Sequence, residues 1–145
     1  MKHQSPDALR RRAITGAGAF VIGSGFVAGT VGGWAMQLDH LPSDTMAGLI
    51  LLARDLHAGD GFPDEAFAMA LKGYDTKEAR RMIETGIAAL DDVARLRGYR
   101  RYLDMDYEAD RQEVLREVHD SAFVRSLRAG LVTALHGRMA CSAVP

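Results

Sequence analysis

The stretch Thr76–Gly98, TKEARRMIETGIAALDDVARLRG, decides the fold. Its apolar residues recur at helical spacing, at Met82, Ile83, Ile87, Leu90, Val93 and Ala94. Residues three and four apart share one face of a helix, so this spacing predicts one long helix from Lys77 to Arg97. Thr76 is a typical N-cap, and Gly98 is a typical residue after a helix end.

Four further segments show the same helical spacing. They run from Ser43 to His57, from Glu65 to Lys72, from Asp106 through Val118, and from Ser121 to Gly137. No segment alternates polar and apolar residues for long enough to predict a strand. The sequence therefore predicts an all-α fold, a small bundle of about five short helices over residues 36–145.

The first 35 residues have a different character. Residues 1–12 are basic, with Lys2, Arg10, Arg11 and Arg12 against Asp7, and Ala13–Gln37 carries no charge. A basic head, an apolar middle and a small-residue end are the plan of an export signal. The stretch is long enough to span a bilayer, so an uncut membrane anchor is the alternative.

The details of this leader favour a twin-arginine signal. Arg11 and Arg12 form the pair, and Ile14 takes the large apolar position. Its many glycines would weaken a permanent membrane helix, because each costs about 1 kcal/mol relative to alanine. We therefore expect residues 1–35 to be recognised by the twin-arginine translocase, with a weak cleavage site after Ala35.

The overall composition excludes several classes of protein. The chain has 145 residues, 48% of them hydrophobic and 26% charged, which fits one globular domain. A net charge of −1 argues against nucleic acid as a partner. The single cysteine, Cys141, excludes an internal disulfide and a cysteine-based metal cluster.

Candidate catalytic residues are few. His57 lies between Asp55 and Asp60, so it could act as a general base or bind a metal in a small stand-alone enzyme. A histidine at a helix end more often interacts with the helix dipole. Three other acidic or triad-like groups are Asp91-Asp92, Asp104 with Asp106, and His119-Asp120-Ser121. Asp91 and Asp92 point about 100° apart on a helix and cannot share a site, and the other two groups are typical of helix ends and caps. We therefore predict no catalytic and no metal-binding residue.

Tyr99 and Tyr102 lie in a basic cluster with Arg95, Arg97, Arg100 and Arg101. Nearby aspartates weaken the positive field that single-stranded nucleic acid would need. Tyrosine and arginine are enriched in protein interfaces, although a solvated helix end is an equal alternative. The candidate partner-interface residues are Phe62, Pro63, Tyr99, Tyr102 and Phe123.

Four stretches together resemble one known family. They are Leu51–His57 (LLARDLH) leading into Asp60–Asp64 (DGFPD), Glu84–Asp91 (ETGIAALD), Tyr107–Leu115 (YEADRQEVL), and Phe123–Arg128 (FVRSLR) leading into Val132–Leu135. In this order, after a twin-arginine-like leader, they resemble the gluconate 2-dehydrogenase subunit 3 family. The resemblance covers residues 44–135. Ala58-Gly59 replaces a usual proline, and Gly137–Pro145 replaces an aromatic-rich tail, which suggests a shortened copy.

The resemblance implies a non-catalytic small subunit of a membrane-associated flavin dehydrogenase for sugars or sugar acids. It implies no cofactor in this chain, FAD in a large catalytic partner subunit, and in some complexes a cytochrome c subunit. It also implies a periplasmic location at the inner membrane, where the small subunit supplies the export signal and aids maturation. A membrane-anchored helical interaction domain unrelated to dehydrogenases is the alternative.

Overall fold

The structure is a computed structural model that describes residues 20–30 and 33–143, with side chains up to residue 137. These residues form mainly helices, as the sequence predicted. The five helices are α1 (Ser43–Leu56), α2 (Asp64–Leu71), α3 (Lys77–Leu96), α4 (Glu108–Val118) and α5 (Ala122–Ala143). Two short 3-10 turns, Lys72–Tyr74 and Tyr102–Asp104, connect them.

Helix α3 forms as its apolar spacing predicts. It buries Ile83, Ile87, Leu90 and Ala94 along one stripe. The Thr76 hydroxyl accepts a hydrogen bond from the Ala79 N–H at 3.0 Å, which caps the helix start. Gly98 follows the helix end with a φ of 94°, a conformation that only glycine adopts without strain.

Helix α1 is the centre of the molecule. Every residue from Met46 to Ala53 is buried, and the helix contacts the other four helices and two of the strands. A helix that is apolar on all sides is stable only when neighbours surround it. The apolar run MAGLILLA thus places α1 in the core.

The structure differs from the sequence-based expectation at the N-terminal end of the described chain. Three antiparallel strands, β1 (Phe20–Gly23), β2 (Phe26–Gly29) and β3 (Ala35–Gln37), form a sheet in the order β1-β2-β3. Phe20 and Val27 are fully buried against α1, and the Trp34 ring contacts the Phe20 ring edge-on at 6.3 Å. Strands of three or four residues are too short to produce a recognisable alternation.

Strands β1 and β2 and the first residue of β3 lie within residues 1–35, the stretch assigned to the leader. Cleavage after Ala35 would remove β1, β2 and four buried side chains, Phe20, Ile22, Val27 and Trp34. The export residues Arg11, Arg12 and Ile14 lie outside the described residues, so the twin-arginine signal stays a prediction. No helix in the described ranges is both long enough and apolar enough to cross a membrane.

Several predicted helix ends need correction. Helix α5 continues through Gly137 to Ala143, because one glycine inside a helix costs only about 1 kcal/mol. Helix α4 begins at Glu108, after Tyr107 as its N-cap, rather than at Asp106. Helix α2 begins at Asp64, one residue before the predicted Glu65. In the first turn an aspartate still interacts favourably with the helix dipole.

Candidate functional site

A buried ion pair joins α1 to α4. Asp55 Oδ2 accepts a hydrogen bond from Arg111 Nε at 2.7 Å, and Oδ1 accepts one from Arg111 Nη2 at 3.3 Å. The side chains are only 3% and 4% exposed, respectively. The Tyr102 hydroxyl also donates to Asp55 Oδ2, and Arg111 Nη1 donates to the Met105 carbonyl at 2.9 Å. Both carboxylate oxygens of Asp55 are therefore occupied.

The charges in this cluster fix its protonation. Burial alone would lower the pKa of Arg111, but the Asp55 carboxylate outweighs it and raises that pKa above its usual value. Burial and the negative charge of Asp55 together raise the pKa of Tyr102 well above its usual value. Tyr102 thus stays a neutral donor. Because it is buried here, it belongs to the core and is not accessible to a partner, which corrects its assignment to an interface.

His57 lies at the end of α1, where the sequence placed it. Its Nδ1 is 3.0 Å from Asp60 Oδ2, its side chain is 10% exposed, and its ring centre lies 5.9 Å from that of Phe67. His57 and Phe67 border a cavity of about 390 Å³ that is also lined by Arg54 and Glu108. Within the part of the chain that the structure describes, no three metal-binding side chains come together.

The remaining catalytic candidates have structural roles. Asp91 accepts a hydrogen bond from the Tyr102 N–H at 2.9 Å, and burial raises its pKa. Asp104 forms an ion pair with Arg101 at 2.8 Å. These contacts hold the Tyr102–Asp104 turn between α3 and α4.

The sequence neighbours His119, Asp120 and Ser121 do not form a triad. The Ser121 hydroxyl accepts a hydrogen bond from the Val124 N–H at 3.2 Å, so it caps α5 as predicted. His119 Nδ1 contacts the Arg116 carbonyl at 2.8 Å, and its Nε2 lies 3.3 Å from an Asp120 oxygen. Histidine and serine are each bound to other groups, which leaves no base beside the hydroxyl.

A second buried carboxylate was missed by the sequence analysis. Asp75, whose side chain is fully buried, accepts hydrogen bonds from Lys72 Nζ at 2.8 Å and from three consecutive backbone N–H groups. These are the N–H groups of Asp39, His40 and Leu41, at 2.7, 2.8 and 2.7 Å. Lys72 also donates to the Gln37 carbonyl at 2.7 Å. The cluster fixes the link from β3 to α1 onto the end of α2.

Burial would raise the pKa of Asp75, but the hydrogen bonds from Lys72 and the three amides outweigh it and hold the pKa well below its usual value. The carboxylate is therefore charged at neutral pH. No local sequence pattern predicts this contact, because the backbone N–H groups that donate to Asp75 precede it by 34 to 36 residues.

The five candidate interface residues lie in different places. Phe62 is half-buried with its ring centre 5.9 Å from that of Phe67, and Pro63 is exposed beside it. The Tyr99 hydroxyl donates to Asp110 Oδ2 at 2.7 Å, which ties the end of α3 to α4. Phe123 lies at the start of α5, over Gly86 of α3. Tyr102 is in the core, so the residues form no common surface.

Phe123 lines an apolar depression between α3 and α5. We call it the α3–α5 groove, and its volume is about 650 Å³. It is lined by Arg81, Met82, Thr85, Gly86, Ala89, Leu90, Val118, Ser121, Ala122, Phe123, Val124 and Ser126. Arg81 is its only charged residue, and Met82 is 44% exposed. Burying apolar surface in such a depression is favourable, because it removes that surface from water.

Comparisons of this chain with known proteins found no similar protein. No family model matches the chain, and no curated protein or solved structure matches it.

Proposed function

We propose that this chain is the non-catalytic small subunit of a membrane-associated, flavin-dependent dehydrogenase of sugars or sugar acids, such as gluconate 2-dehydrogenase. The α3–α5 groove is the observation that carries the proposal. An open apolar groove with a single charged residue supports binding of another protein. The motif resemblance over residues 44–135 supports the choice of partner.

The roles of the polar residues agree with this proposal. Asp55 and Asp75 have both of their oxygens engaged in buried contacts, and Ser121 caps a helix. A general base must reach the proton that it removes from the substrate. These engaged carboxylates are poorly suited to that task, so we assign the chemistry to the partner subunit.

The partner subunit would carry FAD, and a cytochrome c subunit would accept its electrons. The complex would lie in the periplasm at the inner membrane. The leader around Arg11 and Arg12 would direct export of this chain, and of a folded partner without a leader of its own. In this scheme the chain provides delivery and maturation rather than catalysis.

Co-expression tests the proposal directly. The tagged full chain is produced with the flavin dehydrogenase subunit encoded beside it, and each chain is also produced alone. We expect the two chains to co-elute and the flavin content and dehydrogenase activity of the large subunit to rise. Absence of a flavin dehydrogenase gene beside this one, or a large subunit equally active and flavin-loaded alone, would overturn the proposal. Activity of this chain alone, lost in His57→Ala, would support the stand-alone enzyme instead.

A second experiment tests the export role. The double substitution Arg11→Lys/Arg12→Lys keeps the charge but removes the two planar guanidinium groups. We expect both subunits to remain in the cytoplasm, as measured by dehydrogenase activity in the two fractions. Normal export of the double variant would exclude the twin-arginine signal. Loss of export of this chain alone, with the flavin subunit still delivered, would exclude only its carrier role.

A further inference from the structure

Two buried nitrogen atoms without a hydrogen-bond partner belong to residues of one cavity. They are Arg54 Nη1 and His57 Nε2, and within the part of the chain that the structure describes only Trp34 Nε1 shares this condition. Arg54 and His57 both line the cavity of about 390 Å³ at the end of α1, which we call the His57 cavity. A buried polar group without a partner is destabilising, so each one needs an explanation. Here a single ligand could satisfy both.

The two nitrogens together match a hydroxyl group. A guanidinium nitrogen can only donate a hydrogen bond. His57 Nδ1 lies 3.0 Å from the Asp60 carboxylate, which accepts, so Nδ1 carries the proton and Nε2 of the neutral ring is an acceptor. A hydroxyl can accept from Arg54 and donate to His57 at the same time. If the ring is protonated, the two lone pairs of the hydroxyl oxygen can accept from both residues.

The charges that line the His57 cavity nearly cancel. Arg54 pairs with Asp64 at 3.3 Å, and both residues line the cavity. Arg111 pairs with Asp55 at 2.7 Å in the opposite wall, and Glu108 is the remaining charged residue of the lining. Two arginines against three carboxylates disfavour an anion. The ammonium group of a cation has no lone pair with which to accept from Arg54, so a neutral ligand suits the lining best.

Two aromatic rings give the cavity an apolar wall. Phe62 is half-buried and Phe67 is buried, and their ring centres are 5.9 Å apart. The volume of about 390 Å³ falls within the range of roughly 300–1,000 Å³ that is usual for small-molecule sites. Such sites combine apolar and aromatic walls with a few placed polar groups. A sugar ring or a polyol has C–H groups that can pack on the rings and hydroxyls that can reach the nitrogens.

One wall of the cavity can move to admit a hydroxyl. Both nitrogens are shielded from solvent, so binding requires a small rearrangement. The Arg54 side chain is 28% exposed, and its contact with Asp64, at 3.3 Å, is longer than a strong charged hydrogen bond of about 2.7–2.9 Å. His57 is nine-tenths buried and is fixed by Asp60 and by the neighbouring Phe67 ring. Rotation of Arg54 over a fixed imidazole is therefore the movement that binding requires.

We propose that the His57 cavity binds a small neutral polyhydroxy compound, a sugar ring or a polyol, with one hydroxyl between Arg54 and His57 and its C–H face on Phe62. The residues that form the cavity all belong to this chain, so the site is complete without the partner subunit. Ligand binding here goes beyond the delivery and maturation role proposed above and does not depend on it.

The first test uses the full chain labelled with ¹⁵N at its histidines, and three probes that share one sugar ring but differ in charge. They are glucose, glucuronate and glucosamine, with myo-inositol as a second neutral probe. We expect the neutral probes to shift the Nε2 signal of His57 and to bind several-fold more tightly than the charged probes. His119, whose side chain is 54% exposed and which lines a different cavity, is the internal control. If neither neutral probe shifts the His57 signal, or if a charged probe binds as tightly, the proposal is wrong.

Two arginines provide matched variants for the second test. Arg54 and Arg80 each form a partly exposed ion pair of 3.3 Å through Nε, but only Arg54 lines the cavity. Arg54→Met should weaken binding of the neutral probes by at least about tenfold, whereas Arg80→Met should leave it unchanged. Circular dichroism checks the fold, and if Arg54→Met does not fold, His57→Phe takes its place, with binding measured by calorimetry. Unchanged binding in the cavity variant, or an equal loss in Arg80→Met, would overturn the proposal.

Discussion

The molecule contains two buried carboxylates that are held in different ways. Asp55 is held by side chains, the guanidinium of Arg111 and the hydroxyl of Tyr102. Asp75 is held mainly by the backbone, through three consecutive N–H groups at the link between β3 and α1, with Lys72 at its edge. The first joins helices to one another, and the second joins the sheet to the helical body.

The two carboxylates therefore differ in how readily each can be replaced by another residue. An ion pair between side chains can be replaced by apolar residues of similar volume, because two charges disappear together. Backbone N–H groups cannot be removed by substitution, so the acceptor that satisfies them is harder to replace. The link between β3 and α1 therefore depends on a single acceptor, Asp75, whereas the contact between α1 and α4 depends on the pair Asp55 and Arg111.

The largest effect is expected from removing the sheet. Deletion of residues 1–35 removes four buried side chains, each worth about 1.5–3 kcal/mol of burial, from a domain of total stability about 5–15 kcal/mol. We expect this variant to unfold at a much lower temperature or not to fold, as measured by circular dichroism. Deletion of residues 1–19 is the control and should melt near the full chain. If the two deletion variants melt at the same temperature, residues 20–35 do not stabilise the fold, and the domain begins at residue 36 as the sequence predicted.

The next effect is expected at Asp55. Asp55→Ala leaves the Arg111 guanidinium buried without its partner, which should destabilise the fold by about 3–5 kcal/mol in urea unfolding. Asp55→Leu combined with Arg111→Met should recover only part of that loss, because the buried Tyr102 hydroxyl is then left without its acceptor. Asp92→Ala breaks an exposed pair with Arg95 and should cost less than about 1 kcal/mol. A double variant as unstable as Asp55→Ala would show that the pair is not replaceable.

A smaller loss with a distinct pH dependence is expected at Asp75. Asp75→Asn removes the charge from these hydrogen bonds but keeps one acceptor oxygen, so the total loss is expected to be about 1.5–3 kcal/mol. Because folding lowers the pKa of Asp75, its stabilisation is fully present above the unfolded pKa of about 4 and is lost as the pH falls below it. Urea unfolding from pH 7 to pH 3, about the range that spans this pKa, should therefore show the two proteins converging. A difference in unfolding free energy between the two proteins that does not change with pH would contradict a charged Asp75 carboxylate in the folded state.

The smallest effect concerns the packing of α5 on α3. A methyl group added at Gly86 would overlap the Phe123 ring, so Gly86→Ala should lower stability by about 1 kcal/mol despite the better helix propensity of alanine. Gly137→Ala, where no atom lies within 4 Å of the added group, should instead raise stability slightly. Thermal melting of both variants gives the comparison. Stabilisation by Gly86→Ala would show that Phe123 moves aside freely.

The sequence predicted the parts of the fold that depend on local pattern. The stripe of α3, its Thr76 cap and the Ser121 cap of α5 each need only neighbouring residues, and all three are present. The sheet was missed because its strands are short and rich in glycine. The Asp75 contact was missed because it joins residues that are distant in sequence, and Tyr102 looked exposed because its neighbours are charged.

The α3–α5 groove could be predicted only in part. Phe123 was identified as a candidate surface residue, but its neighbours Gly86 and Ala89 come from another helix, and their spacing resembles any helix interior. Which helices pack together depends on tertiary contacts that a single sequence does not display. Arg81 gave no signal either, because a lone arginine on an exposed helix face is common.

The position of Asp75 also has a consequence for the order of folding. The chain must bring Asp75 back to amides that precede it by 34 to 36 residues before the sheet end is fixed. Contacts with such separations carry a loop-closure cost and tend to form after local helices. An interaction that is absent from the folding transition state affects mainly the rate of unfolding. Loss of the Asp75 contact should thus raise the unfolding rate and shorten the lifetime of the native state, while the refolding rate stays about the same.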